Sequence, residues 1–434
     1  MITCSISRCQ AKAENEINQI IPIIPLELNA ESWYHAANLE RSETMKIKDI
    51  QTVRINVPQR DIKHTEPRRE PWNAHAEVAN PMSRYPRYKR HRSSWMPKTW
   101  DQVYVKVTAE DGTWGIGETS FGTPVAAIID EHFAPMLIGE NCFAVEKISD
   151  MMFRMSKPYG SQGLTSCAMS GVDIALWDLN GKIKNQPVYE LLGGPLREKM
   201  FAYATGNDTD WQLELGFKAV KLACPYGPVD GEWGLKENEK LVAKTREMVG
   251  NDVEIMLDCY MAFDVDYTIR LAHRLRPYRL KWIEEFLIPE DIDGLVKVRE
   301  AVDWVSLASG EHHYTRFPFQ QIIEKRCLDI LQPDTFWVGG ITECVKICHL
   351  ADAAGLTVIF HGGGLRQSGL HLSAAMPNTP WVEYYLGTAP GVPLEEAKRF
   401  EGESLPRDSY ISPNDGPGLG LHIEEEWLTP RNPR

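Results

Sequence analysis

Long apolar runs are missing from this chain. No stretch approaches the roughly 18–20 residues that a membrane helix needs, and the most apolar N-terminal stretch, Ile20 to Leu26, is interrupted by Pro22 and Pro25. No small-residue cleavage pattern follows it, so a signal peptide is not expected. Paired cysteines are missing as well. Nine cysteines are scattered without a CxxC spacing, which argues against a zinc knuckle or a disulfide framework and predicts reduced core thiols of a cytoplasmic protein. A basic excess is also absent. With 47 Lys and Arg against 60 Asp and Glu, the net charge is −13, which disfavours nucleic acid and anionic membranes as partners.

What is present is a chain of 434 residues, 43% hydrophobic and 25% charged, long enough for two domains or for one barrel with additions. Residues 1–44 carry no sustained period and read as an N-terminal extension, either disordered or not native, with a strand beginning just after Met45. Over 60–100, Arg, Pro, His and Trp interleave. Arginine forks match carboxylates, so this segment is read as a loop that folds over an anionic small-molecule site. Gln102–Thr108, the Asp111-Gly112 turn and Trp114–Glu118 form a hairpin by turn chemistry. Ala168, Val172, Ala175, Leu179 and Ile183 then mark one face of a helix. Strands followed by helices predict an α+β capping domain over 45–160.

Beyond residue 200 short apolar runs recur, each ending in a charged or imidazole residue: Lys221, Asp258, Glu284, Glu311, Asp334 and His361, with a weaker seventh at Glu383. Their spacing is that of βα units in a barrel. The expected fold is α/β, a modified TIM-type (β/α) barrel over 161–385, with residues 386–434 returning to the cap.

Barrel enzymes carry their chemistry at the C-terminal ends of the strands. Asp258, Glu284 and Glu311 end three successive strands, and three converging carboxylates stay ionised only around a positive charge. All-oxygen ligation selects a hard ion, Mg²⁺ first and Mn²⁺ second. His361 follows Asp334 by one βα unit, so the aspartate can orient the imidazole and raise its basicity, as a general base needs. Gly362 to Gly364 would keep the rim beside it open. Lys221 ends a strand on the opposite flank, but position 223 is Ala, so a second lysine that would share the work of a base is missing. Lys221 is therefore read as stabilising a substrate carboxylate. His312 could donate to substrate, and Glu285, one strand step past Glu284, is expected to face the other way.

These residues, with Val172–Leu179, Tyr189–Gly194, Trp282–Glu285 and Gly416–Leu421, resemble the mandelate racemase subgroup of the enolase superfamily over about Met45 to Glu424. Pro81–Tyr85, Tyr203–Gly206, Met256–Cys259 and Ser309–His313 are most similar to its acid-sugar dehydratases. The resemblance implies a (β/α)₇β barrel and Mg²⁺ on Asp258, Glu284 and Glu311, with His361 and Asp334 handling protons. It also implies substrate contacts from Arg92, His312 and Glu383, with His64 as a weaker match in the cap loop. The implied reaction removes water from an aldonate, L-rhamnonate or a close relative, to give a 2-keto-3-deoxy acid, and the subgroup implies a homo-oligomer. The loop Phe360–Ser368 departs from the pattern expected after the histidine. Alternatives are a dehydratase of another aldonate (lyxonate, galactonate or arabinonate) and a racemase or epimerase of 2-hydroxy acids.

Overall fold

The computed structural model describes residues 44–60, 64–75, 77–88, 97 and 99–432. The extension read before Met45 and Arg92 both lie outside the described residues. Among the described residues, no helix is long and apolar enough to cross a membrane.

The cap is a four-stranded antiparallel sheet. Strand β1 (Ile47–Ile55) pairs with β2 (Val103–Ala109), and β2 pairs with β3 (Trp114–Thr119). The Asp111-Gly112 turn forms as its chemistry requires, with Asp111 accepting from Thr113 N at 2.9 Å. The fourth strand, β13 (Leu428–Pro430), comes from the far end of the described chain and pairs with β1. Helix α2 (Leu164–Lys184) packs on the sheet, and α1 (Val145–Met155) packs on α2. The apolar face of α2 is buried with Val103, Val105 and Val107 in one core. This places α2, which the expected boundary at 161 assigns to the barrel domain, with the cap sheet, and the barrel strands begin at Met200.

Two glycines allow α2 to come so close. A Cβ on Gly117 would lie 2.0 Å from Gly171 O and 2.6 Å from Ala175 N, and one on Gly115 would lie 2.2 Å from Ala175 O. These are backbone atoms, which cannot swing aside. Gly117→Ala is therefore expected to cost the upper end of the roughly 1–3 kcal/mol typical of overpacking, read as a lowered urea midpoint.

Eight parallel strands make the barrel: β4 (Met200–Thr205), β5 (Ala219–Ala223), β6 (Glu254–Asp258), β7 (Trp282–Glu284), β8 (Ser306–Ser309), β9 (Ile330–Leu331), β10 (Thr357–Val358) and β11 (Trp381–Tyr385). Their order is β10-β9-β8-β7-β6-β5-β4-β11, and a short strand β12 (Tyr410–Ile411) adds antiparallel to β4. The two ends meet through Gly364 N donating to Glu383 O at 2.7 Å. Strand β4 is an addition to the sequence reading, because Met-Phe-Ala-Tyr-Ala-Thr ends in no charged residue.

Strand periodicity decides what fills the interior. Phe201, Tyr203, Ala219, Met256, Trp282, Ala308, Ile330, Ile359 and Trp381 form one apolar cluster inside the barrel. Trp282 is its centre, edge-on to Tyr203 at 5.3 Å and to Trp381 at 5.9 Å. Two residues further along each strand, the same face carries Thr205, Lys221, Asp258, Glu284, Gly310, Gln332, His361 and Glu383. The polar layer at the barrel mouth is thus a consequence of the pleat.

Candidate active site

In a parallel pair, residues in register point to the same side, and Ala223, Asp258 and Glu284 are in register across β5, β6 and β7. Glu311 lies two residues beyond β8, after Gly310. That glycine has φ +145 and leaves no room for a Cβ, which would sit 2.7 Å from Gln332 N. The turn it makes carries Glu311 over the layer.

Lys221 is buried between two carboxylates. Its Nζ contacts Glu284 Oε1 and lies 2.7 Å from Glu383 Oε1. Burial works against its charge, but Glu284 and Glu383 outweigh burial and hold the ammonium well above its ordinary range. A lysine so held stays charged at neutral pH. Glu383 also accepts from Thr205 Oγ1 at 2.5 Å and from Gly362 N at 2.9 Å. Burial opposes its charge too, yet Lys221 and His361 keep it well below the usual carboxylate range.

Glu284 Oε2 accepts from Trp282 Nε1 at 2.9 Å and from Gln332 Nε2 at 2.8 Å. Burial, with Asp258 and Glu383 nearby, pushes its carboxyl up to about 7 against the pull of Lys221. Glu311 is also pushed up to about 7, first by burial and then by Glu285 and Asp258, although His361 and His312 oppose.

The His361–Asp334 pair forms. Nδ1 of His361 lies 2.5 Å from Asp334 Oδ2, and Nε2 lies 3.2 Å from Glu311 Oε1. Burial disfavours the imidazolium, but Glu311 and Asp334 outweigh it and push the imidazole up to about 9. Asp334 Oδ1 accepts from Phe336 N at 2.7 Å. The three glycines after His361 serve closure rather than an open rim: a Cβ on Gly364 would lie 2.7 Å from Glu383 O.

Glu285 does not face away. Its φ is +47, an uncommon conformation for a residue other than glycine, and it breaks the alternation. The buried carboxylate accepts from His312, with Nδ1 3.0 Å from each oxygen. Burial opposes charge on His312, but Glu285 and Glu311 push it up to about 9. Trp337 stands between the imidazoles, its ring 5.3 Å from that of His312 and 5.3 Å from that of His361.

One sequence-predicted contact falls differently. His64 is 66% exposed at its side chain and pairs with Glu396 at 3.5 Å, so it does not join the cluster. In the segment that follows, Arg69 pairs with Asp208 and Asp210. Trp72 N donates to Asp208 Oδ2 at 2.9 Å, Asn73 Nδ2 to Tyr385 Oη at 2.7 Å and Ala79 N to Cys224 O at 2.8 Å. The cap segment thus lies over the ends of β4, β5 and β11, and Arg69 answers protein carboxylates instead of a ligand. Gln332, Trp337 and Arg366 were not singled out in the sequence. Only Gln332 left a signal, being two residues after the inward-facing Ile330.

By donor type, the oxygens of Asp258, Glu284 and Glu311 suit a hard cation, though among the described residues these three do not bring their ligand atoms within 4.8 Å of one another. The group that does is Glu285, Glu311 and His312, with one ligand atom each. That second set suits a metal less well, because His312 Nδ1 is bonded to Glu285 and the ring is held protonated. Below about pH 7, where Glu284 and Glu311 hold protons, a cation bound by them has to displace those protons. The apparent Mg²⁺ affinity is therefore expected to weaken as pH falls through about 7 and to level off above it, with proton release on binding. Calorimetric titrations in buffers of different ionisation enthalpy measure both.

Comparison with known proteins shows the family. Residues 209–427 match the family described as enolase C-terminal domain-like, and residues 90–193 match the mandelate racemase / muconate lactonizing enzyme N-terminal domain. The chain belongs to this branch of the enolase superfamily. Among individual proteins, it is 40% identical over 353 residues to an L-rhamnonate dehydratase of Saccharopolyspora erythraea, covering 80% of this chain and 90% of that one. A putative L-rhamnonate dehydratase of Caldivirga maquilingensis is 37% identical, covering 81% and 88%. The crystal structure of rhamnonate dehydratase from Gibberella zeae complexed with Mg aligns with a TM-score of 0.82 at 34% identity, covering 89% of this chain and 97% of that one.

Proposed function

We propose that this chain is a Mg²⁺-dependent acid-sugar dehydratase and that its substrate is L-rhamnonate. The observation that carries the proposal is the polar layer of the barrel, where a buried lysine and three acids face an Asp-oriented imidazole, in a chain 40% identical to an L-rhamnonate dehydratase. Asp258, Glu284 and Glu311 are the residues that would hold the ion. When bound, Mg²⁺ supplies Lewis-acid stabilisation of the second negative charge that builds when hydrogen leaves the carbon next to a carboxylate.

The protein's own groups do the rest. Lys221 adds a fixed positive charge below the carboxylate, in a water-poor layer where such charges act strongly. Glu311 contributes most to holding His361 protonated, so His361 becomes a base when the charge of Glu311 is engaged elsewhere. His361 Nε2 then takes the α-hydrogen while Asp334 holds Nδ1. The imidazolium so formed returns its proton to the departing β-hydroxyl on the same face, and the enol product becomes a 2-keto-3-deoxy acid. The cap segment around Trp72 excludes water over β4 and β11.

Racemisation fits less well. Two-base chemistry needs a group on the opposite face, and the register position beside Asp258 is Ala223. The test is turnover with Mg²⁺ on a stereochemical panel of acid sugars, assayed for 2-keto-3-deoxy product. L-Rhamnonate as best substrate is expected. Turnover of another aldonate keeps the dehydration and changes the substrate, and exchange of the α-hydrogen without dehydration overturns the proposal.

A further inference from the structure

Asp334 is gripped from two sides by one short loop. His361, at its start, meets Asp334 Oδ2 through Nδ1. Arg366, five residues on, brings Nη1 against the same oxygen as an ion contact rather than as an aligned hydrogen bond. The loop is folded back tightly to do this. Gly362 has φ +58, Arg366 N donates to Gly362 O at 3.0 Å, and Gly364 N is tied to Glu383. The guanidinium is itself fixed, lying 4.1 Å over the ring of Phe336 and 5.6 Å from that of Trp337. Its side chain is 16% exposed, and that of Asp334 is wholly buried.

We propose that Arg366 is a positioning residue for proton transfer, clamping Asp334 so that His361 keeps one orientation, given the dehydratase function proposed above. A buried carboxylate with a single imidazole partner can rock about its side-chain bonds, and the ring follows it. Here Phe336 N holds Oδ1, the Arg366 charge holds Oδ2, and stacking holds the guanidinium. Three constraints therefore fix the plane that Nδ1 of His361 meets, and with it the line along which Nε2 faces Glu311. The charge also keeps Asp334 an acceptor, so the proton that moves is the one on Nε2. Arg366 touches no reacting atom in this arrangement; it acts through Asp334.

Arg366→Met and Arg366→Lys in the full chain with Mg²⁺ test this. Arg366→Met is expected to lower kcat by about 10–100-fold, as loss of an orienting partner does. KM should stay within about twofold, and Arg366→Lys should recover part of the rate. The second readout needs no substrate: the downfield proton resonance of the His361–Asp334 hydrogen bond, identified by its absence in His361→Asn, is expected to shift or broaden in Arg366→Met. If Arg366→Met does not fold, Arg366→Gln, which keeps donors and loses charge, replaces it. An unmoved resonance overturns the clamp even if no acid sugar in the panel is turned over. A loss confined to KM also overturns it, by making Arg366 a substrate contact.

Discussion

His361→Asn is expected to abolish turnover, by at least about 10³-fold, while Mg²⁺ binding persists. A positioned proton-transfer group contributes roughly 10²–10⁴-fold, and here one imidazole serves both steps, taking the α-hydrogen and protonating the leaving hydroxyl. Asn keeps a donor that can face Asp334, so the buried aspartate is not stranded. The three acids are untouched, and removing the positive imidazole from beside Glu311 leaves that carboxylate freer for a cation. Steady-state assay of keto-acid product, with calorimetric Mg²⁺ titration of the same sample, reads both halves. Retained activity would assign the base elsewhere; lost metal binding would mean that His361 helps to build the ion site.

Lys221→Met is expected to act on stability and rate together. It removes the cation shared by Glu284 and Glu383, all three buried. Stripping one partner from a buried ion pair leaves an uncompensated charge and costs about 3–5 kcal/mol, a large share of the roughly 5–15 kcal/mol that keeps a domain folded. Chemical denaturation of the metal-free protein should show the drop. Mg²⁺ should restore part of it, because positive charge returns beside Glu284 but not beside Glu383. A midpoint like that of the parent protein would mean that the two acids take up protons at little cost and that Lys221 holds no such place.

Much of the site is legible because a parallel barrel is strict about its strands. Strands covered on both faces are nearly continuous apolar runs, so a charged residue at the end of one stands out, and Lys221, Asp258, Glu284, Asp334 and His361 were all found that way. Strand β4 escaped because its end carries Thr205, which is neither charged nor aromatic. Glu285 was misjudged for another reason. Alternation predicts it to face outward, but a positive φ at the strand end turns it toward His312, and no residue type announced that conformation. Gln332 was hidden by Pro333 and Asp334, which look like the start of a loop although the inward parity continues. His64 was drawn in by likeness alone; the contact with Glu396 depends on a fold-back no local pattern encodes. Arg366 is a basic residue in a glycine-rich loop until the loop is seen to close on Asp334.

The pairing of β1 with β13 sets a clock. Asn56 N reaches Trp427 O at 2.8 Å, and the two residues are 371 positions apart. On a ribosome adding roughly 5–20 residues per second, the first strand of the cap leaves the exit tunnel tens of seconds before its partner exists. Through that interval one edge of β1 has no strand beside it, while the whole barrel is being made. The cap is begun first and finished last, so a nascent chain stalled within the barrel already carries β1, β2 and β3 but not the strand that covers their open side.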